Sequence, residues 1–179
     1  MKNRIDDNEK IELLKYNISR FDHYYASVNF KSSFLVIGNI TIIGFLISNK
    51  NNILDYIFFA NLLLTTLSLV FILMAINPFT KSYHKNGSII FFGDIANSDY
   101  NNFSSKINKL SKKLYISDLQ KQVYILSIGL KKKFSHLKVA TIIFIINIVL
   151  FFGNIGFIYK NNMSPLTKQI IILIGKLNE

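Results

Sequence analysis

The chain has no cysteine and no tryptophan, and only two prolines in 179 residues. Without cysteine there is no disulfide, no thiolate metal site and no cysteine nucleophile. Charge is also absent from three long stretches. Residues 32–49, 56–80 and 139–159 contain no Asp, Glu, Lys or Arg. A soluble helix bundle would carry polar residues on one face of each helix, recurring roughly every 3–4 positions. These stretches are apolar on every side, which excludes that class.

The motifs of catalysis are missing too. His23, His84 and His136 are scattered without metal-ligand spacing, and there is no Gly-rich phosphate loop and no Ser-x-x-Lys. Asp94, Asp99 and Asp118 form no acid–base pair in sequence. The expectation is no enzymatic activity, no catalytic residue, no metal and no resident cofactor. The charge balance has 21 Lys and Arg against 10 Asp and Glu, a formal +11. No nucleic-acid motif accompanies it, so nucleic acid is not expected as a partner. The excess reads instead as a topology signal with attraction to anionic lipid head groups.

What is present is membrane-spanning length. A helix needs about 20 apolar residues to cross a ~30 Å hydrocarbon core. The second and third stretches exceed that length, and the first stands at its lower limit. Residues 139–159 hold fourteen Ile, Leu, Val or Phe residues. At roughly −0.3 to −0.6 kcal/mol each they contribute about −4 to −8 kcal/mol, which outweighs the cost of two asparagines.

Lysine and arginine set the orientation. Residues 1–31 carry six and residues 81–138 carry eleven, while the 49–55 turn carries only Lys50 and the tail after Tyr159 three. Positive charge accumulates on the cytoplasmic side. The N-terminus and the 81–138 segment are therefore expected in the cytoplasm, with the turn and tail outside. The charged first 31 residues do not resemble a cleavable signal, so the first span is expected to be an uncleaved anchor.

The resulting fold class is an all-α integral membrane protein with three transmembrane helices and long cytoplasmic helical extensions. Its segments are a cytoplasmic N-terminal heptad helix (1–31), spans at 32–49, 53–77 and 138–159, a cytoplasmic connector with a long amphipathic helix (78–137), and an external tail (160–179). Ile11, Leu14, Ile18, Phe21, Tyr25 and Val28 recur at alternating spacings of 3 and 4, a heptad seam that continues to Ser32 and Leu35 and so predicts one helix running into the first span. Ile116, Leu119, Val123, Leu126, Leu130, Phe134 and Leu137 form a second seam, with a register slip near Tyr115. Such seams need an apolar partner, within the chain or across a homo-oligomer. Asn86-Gly87 signals a turn, and the apolar run 88–92 reads as a short strand or extended segment.

Each span holds asparagine: Asn39, Asn61, and Asn147 with Asn154. In hydrocarbon these seek partners, as glue between helices or as the lining of a polar path. No GxxxG motif is present, and no ionisable residue lies in mid-span, which disfavours a proton relay.

The segments RFDHYYASVNFKSSFLVIGN (20–39), SIIFFGDIAN (88–97) and DLQKQVYILSIGLKKKFSHLKVA (118–140) resemble the transmembrane effector family of Pycsar anti-phage systems. The likeness covers roughly residues 11–160, and the matching positions include Phe91–Ile95, Asp118, Leu119, Gln122 and Lys133. The resemblance implies a bacterial inner-membrane protein partnered with a nucleotide cyclase through its diffusible product. That cyclic pyrimidine mononucleotide would activate the effector, impair membrane integrity and cause abortive infection. The candidate ligand-binding residues are Arg20, Lys131 and Lys133, as cations, with the Phe92-Gly93-Asp94 turn for close backbone approach. The rival reading is a static membrane interaction protein, such as a toxin-immunity protein or an auxiliary subunit of a membrane complex.

Overall fold

The computed structural model describes residues 5–78 and 87–162. His84, Asn86 and the tail beyond residue 162, with its apolar run at 170–174, lie outside the described residues. Five α-helices follow in order: α1 (Asp7–Ser48), α2 (Asp55–Ile76), α3 (Phe92–Ala96), α4 (Tyr100–Asn108) and α5 (Lys112–Asn162). A 3₁₀ turn at Lys50–Asn52 joins α1 to α2. Among the described residues there is no strand. Three helices, α1, α2 and α5, are long and apolar enough to cross a membrane.

Local chemistry explains the helix ends. Asp6 caps α1: its Oδ1 accepts from the Asn8 and Glu9 N–H groups, while Glu9 Oε2 accepts from the Asp6 N–H. This reciprocal capping box satisfies donors that the first turn leaves without partners. Asp99 caps α4 by accepting from the Asn101 N–H. Ser111 begins α5, accepting from Leu114 N–H on its hydroxyl and from Tyr115 N–H on its carbonyl. The register slip expected near Tyr115 is thus a true helix break, placed a few residues earlier, between Asn108 and Lys112. The apolar run 88–92 also differs from expectation. It bends at Ile89 and Ile90, and Phe92 already belongs to α3.

The chain divides into two compact units. One holds residues up to Ser33 together with Leu73–Lys138, and the other holds Phe34–Ile72 with the chain from Val139 onward. In the first, the α1 seam is as the spacing predicts: Ile11, Leu14, Ile18, Phe21 and Tyr25 are half-buried, and Val28 and Ser32 are buried. On α5, Ile116, Leu119, Leu130 and Leu137 are buried, with Ile125. Gln122 and Lys133 lie on that buried stripe too, where an apolar pattern does not look for them.

The second unit has its polarity reversed. Asn39, Asn61, Thr65, Ser68 and Asn147 are fully buried, whereas Phe34, Phe59 and Val149 are 60–69% exposed. In water this arrangement would leave a large apolar surface uncovered, which monomeric soluble proteins avoid. In lipid it is the stable one, because the apolar exterior faces hydrocarbon and the polar groups find one another inside. Between them, Ile42, Leu46, Ile53 and Phe58 form an apolar core against Phe144, Ile148 and Phe151.

Candidate functional site

Within the second unit, hydrogen bonds link the buried polar residues in two sets. Asn39 Nδ2 donates to the Leu35 carbonyl at 2.7 Å and to Ser68 Oγ at 3.1 Å, and Ser68 Oγ donates to the Ala140 carbonyl at 3.3 Å. Asn147 Nδ2 donates to Thr65 Oγ1 at 2.7 Å, and Thr65 donates to the Asn61 carbonyl. Asn61 Nδ2 turns back onto the Ile57 carbonyl. Asn39 thus bonds α1 to α2, Ser68 bonds α2 to α5, and Asn147 bonds α5 to α2, whereas the Asn61 amide bonds only within α2. Asn154 is buried as well, with its amide nitrogen unpaired.

In the first unit the chemistry concentrates around residues 87–94 and the start of α5. Asp118, only 8% exposed, accepts from Ser88 Oγ on both carboxylate oxygens (2.9 and 3.0 Å) and from the Ile89 N–H at 2.9 Å. Ser88 Oγ in turn accepts from the Ile90 and Phe91 N–H groups, each at 3.0 Å. Asp94 accepts from the Ser88 N–H at 2.7 Å. Two carboxylates thereby hold a segment that has no ladder of its own to satisfy its backbone donors. Gly87 enters it with φ +72°, a left-handed conformation that L side chains adopt at a cost. Gly93 is needed for room: a β-carbon there would stand 2.7 Å from the Phe91 ring.

The six candidate ligand residues do not converge. Phe92, Gly93 and Asp94 are neighbours on α3, and Phe92 is exposed. Arg20 is exposed on α1, donating to Tyr24 Oη at 2.7 Å, with its guanidinium 5.7 Å from the Tyr16 and Tyr24 rings. Tyr24 holds its pKa above the ordinary arginine value. Lys131 is exposed on α5. Lys133 is buried, and its ammonium donates to the Ala75 carbonyl at 2.7 Å, 5.8 Å from the Tyr25 ring. Ala75 lies in the last turn of α2, where carbonyls lack helical partners and the dipole attracts a cation. Lys133 is therefore a cap for α2. Burial holds its pKa below the ordinary lysine value. Tyr25 itself donates to the Leu126 carbonyl at 3.0 Å, joining α1 to α5; burial, and then the nearby Asp22 charge, push its pKa up.

Two cavities adjoin the segment from Gly87 to Phe92. The first, about 420 Å³, is lined by Lys106 of α4 and Lys109 just after it, by Lys121, Ser117 and Asp118 of α5, and by Gly87, Ile89, Asn102, Ser105, Leu110 and Leu114. The second, about 380 Å³, is lined by Phe91, Phe92, Ile90, Tyr25, Ile18 and Leu126, with Gln122 and Asp22. The first is rich in cations, and the second is aromatic and carries one carboxylate. Sequence reasoning named Phe92 but none of the three lysines. The only available signal was their position on either side of a helix break whose place the seam misjudged.

A model of the Pycsar effector protein domain matches residues 13–160 of the chain. No curated protein and no solved structure matches it.

Proposed function

This chain belongs to the Pycsar effector family, and from that premise we propose that it is a membrane effector gated by a cyclic pyrimidine mononucleotide. A partner cyclase supplies the nucleotide on phage infection. The activated effector impairs the inner membrane, and the cell stops growing before the phage matures. The observation that carries this reading is the extent of the family match, which takes in every described helix except the first turns of α1 and the last residues of α5.

The physical features are consistent with it. A membrane protein with one unit of ordinary polarity and one of reversed polarity has a water-exposed part in which a soluble messenger can bind. Both α1 and α5 run unbroken from residues of one unit to residues of the other. A ligand that binds one arrangement of the helices better than another shifts the population toward it, and only by that difference in affinity. Our reading places the N-terminus and the 81–138 segment in the cytoplasm, where the lysine bias puts them. Assembly into a homo-oligomer would let buried asparagines of several copies border one path.

The test is membrane potential in bacteria expressing the chain with correct insertion. Supplying cyclic UMP or cyclic CMP, by uptake or from a co-expressed cyclase, should depolarise the cells and halt growth. Cells that keep their potential with every cyclic nucleotide refute the gating. The variant Asp94→Ala, which frees the Ser88 N–H, should insert normally and respond weakly.

A further inference from the structure

We propose that the cavity between α4, α5 and the Gly87–Ile89 segment binds a phosphodiester monoanion of mononucleotide size. The proposal deepens the reading above and rests on it for the identity of the messenger. The size, the lining and the backbone of the cavity support it.

The cavity measures about 420 Å³, within the range of roughly 300–1,000 Å³ that small-ligand pockets occupy. Its lining carries three ammonium groups, Lys106, Lys109 and Lys121, against one carboxylate, Asp118, a balance of +2 (three minus one). That carboxylate is buried and accepts from Ser88 Oγ and the Ile89 N–H, so its charge is directed into the protein's own donors. Serine and asparagine donors, Ser105, Ser117 and Asn102, share the wall with apolar Leu110 and Leu114. A phosphodiester wants the first set, and a sugar and base want the mixture.

Gly87 ties the backbone to the charge. Its left-handed φ of +72° suits glycine, and a β-carbon there would stand 3.2 Å from the Lys106 ammonium, which places that cation beside the backbone. The start of α5 borders the same cavity through Leu114 and Ser117, and a helix N-terminus favours an anion nearby. The neighbouring aromatic cavity is the poorer host, because Asp22 in its wall repels an anion and, among the described residues, no cation lines it.

A phosphodiester monoanion has two sources in a bacterium, a soluble cyclic nucleotide and a lipid head group such as that of phosphatidylglycerol. The experiment uses the full chain in nanodiscs, as wild type, as K109Q/K121Q, and as R20Q/K131Q. The last removes equal charge outside the cavity. All four substituted residues are exposed, so the variants are expected to fold, with thermal melts matching the wild type. In neutral phosphatidylcholine discs, cyclic UMP and cyclic CMP are titrated calorimetrically, beside linear 5′-UMP and inorganic phosphate.

The expected result is binding of a cyclic nucleotide that weakens about tenfold in K109Q/K121Q, falls with added salt, and is unchanged in R20Q/K131Q. If the wild type binds no nucleotide but retains phosphatidylglycerol from mixed discs, and K109Q/K121Q loses it, the anion site stands with a lipid occupant, and gating by this site falls. Equal binding of every probe by K109Q/K121Q and wild type overturns the site. So does depolarisation by cyclic UMP at unchanged concentration in cells carrying K109Q/K121Q, an outcome that leaves the effector reading intact. A wild type that binds neither nucleotide nor anionic lipid also overturns it.

Discussion

Replacing Asp118 with Asn changes no volume and removes one charge, yet the geometry around it makes the change costly. The wild-type carboxylate accepts from the Ser88 hydroxyl and the Ile89 N–H at 2.9–3.0 Å. An asparagine oxygen in the Oδ2 position keeps both donors but turns charge-assisted bonds into neutral ones, a loss of about 1 kcal/mol each. Its amide nitrogen then stands where Oδ1 was, 2.9 Å from Ser88 Oγ. Both lone pairs of that hydroxyl are already taken by the Ile90 and Phe91 N–H groups, so the new donor has no acceptor there, at about 1–3 kcal/mol. The flipped amide is worse, because it sets N–H against the Ile89 N–H. The sum is about 3–5 kcal/mol of local stability, or a factor of about 10²–10⁴ in opening. Amide hydrogen exchange in nanodiscs reads this directly. Ile89, Ile90 and Phe91 should exchange faster by that factor in the variant, while α1 amides near Val28 stay unchanged. Ser88→Ala, which orphans the Ile90 and Phe91 donors, should accelerate the same amides. Unaltered exchange at all three positions in Asp118→Asn would refute the reasoning that this carboxylate anchors the segment.

Other outcomes follow from single contacts. Lys133→Met removes a buried charge but orphans the Ala75 carbonyl and should cost about 1–3 kcal/mol of unfolding free energy; Lys133→Ala adds a void to the same orphan and should cost about 1–2 kcal/mol more. Because burial lowers the folded-state pKa of Lys133, the unfolded chain holds the proton more tightly between that value and the ordinary lysine value. Stability should therefore rise with pH through this window, and the rise should flatten in Lys133→Met when melts are compared across alkaline pH. Gly38→Ala places a methyl 2.5 Å from the Phe144 ring and should destabilise by about 1–3 kcal/mol, whereas Gly44→Ala meets nothing within 4 Å and should be neutral or stabilising by about 0.5–1 kcal/mol; thermal melts of the two in one detergent check the contrast. Gly87→Ala, forced into φ +72°, should cost about 1–2 kcal/mol and raise the cyclic nucleotide concentration needed for depolarisation.

The helices themselves were legible in the residues. Charge-free stretches of spanning length and the 3–4 spacing of Ile11 through Val28 depend only on helical period and solvent preference, which act along the chain. The unbroken passage of α1 into the first span belongs to the same class. The four span asparagines were equally visible, because polar groups stand out in apolar surroundings. Their partners were not. Ser68 for Asn39 and Thr65 for Asn147 depend on which faces of three helices meet.

What only the tertiary structure decided is where the charged residues of the connector act. Positive charge in sequence carries no direction: Arg20, Lys131, Lys133 and Lys106 look alike as cations beside a membrane. Packing buries Lys133 against the end of α2 and leaves Arg20 with its own tyrosines. It also draws Lys106, Lys109 and Lys121, separated by a helix break, around one cavity. The physical reason is range. Hydrophobic period is a local property repeated every turn, whereas the lining of a cavity is a meeting of residues far apart in the chain, which only packing brings together.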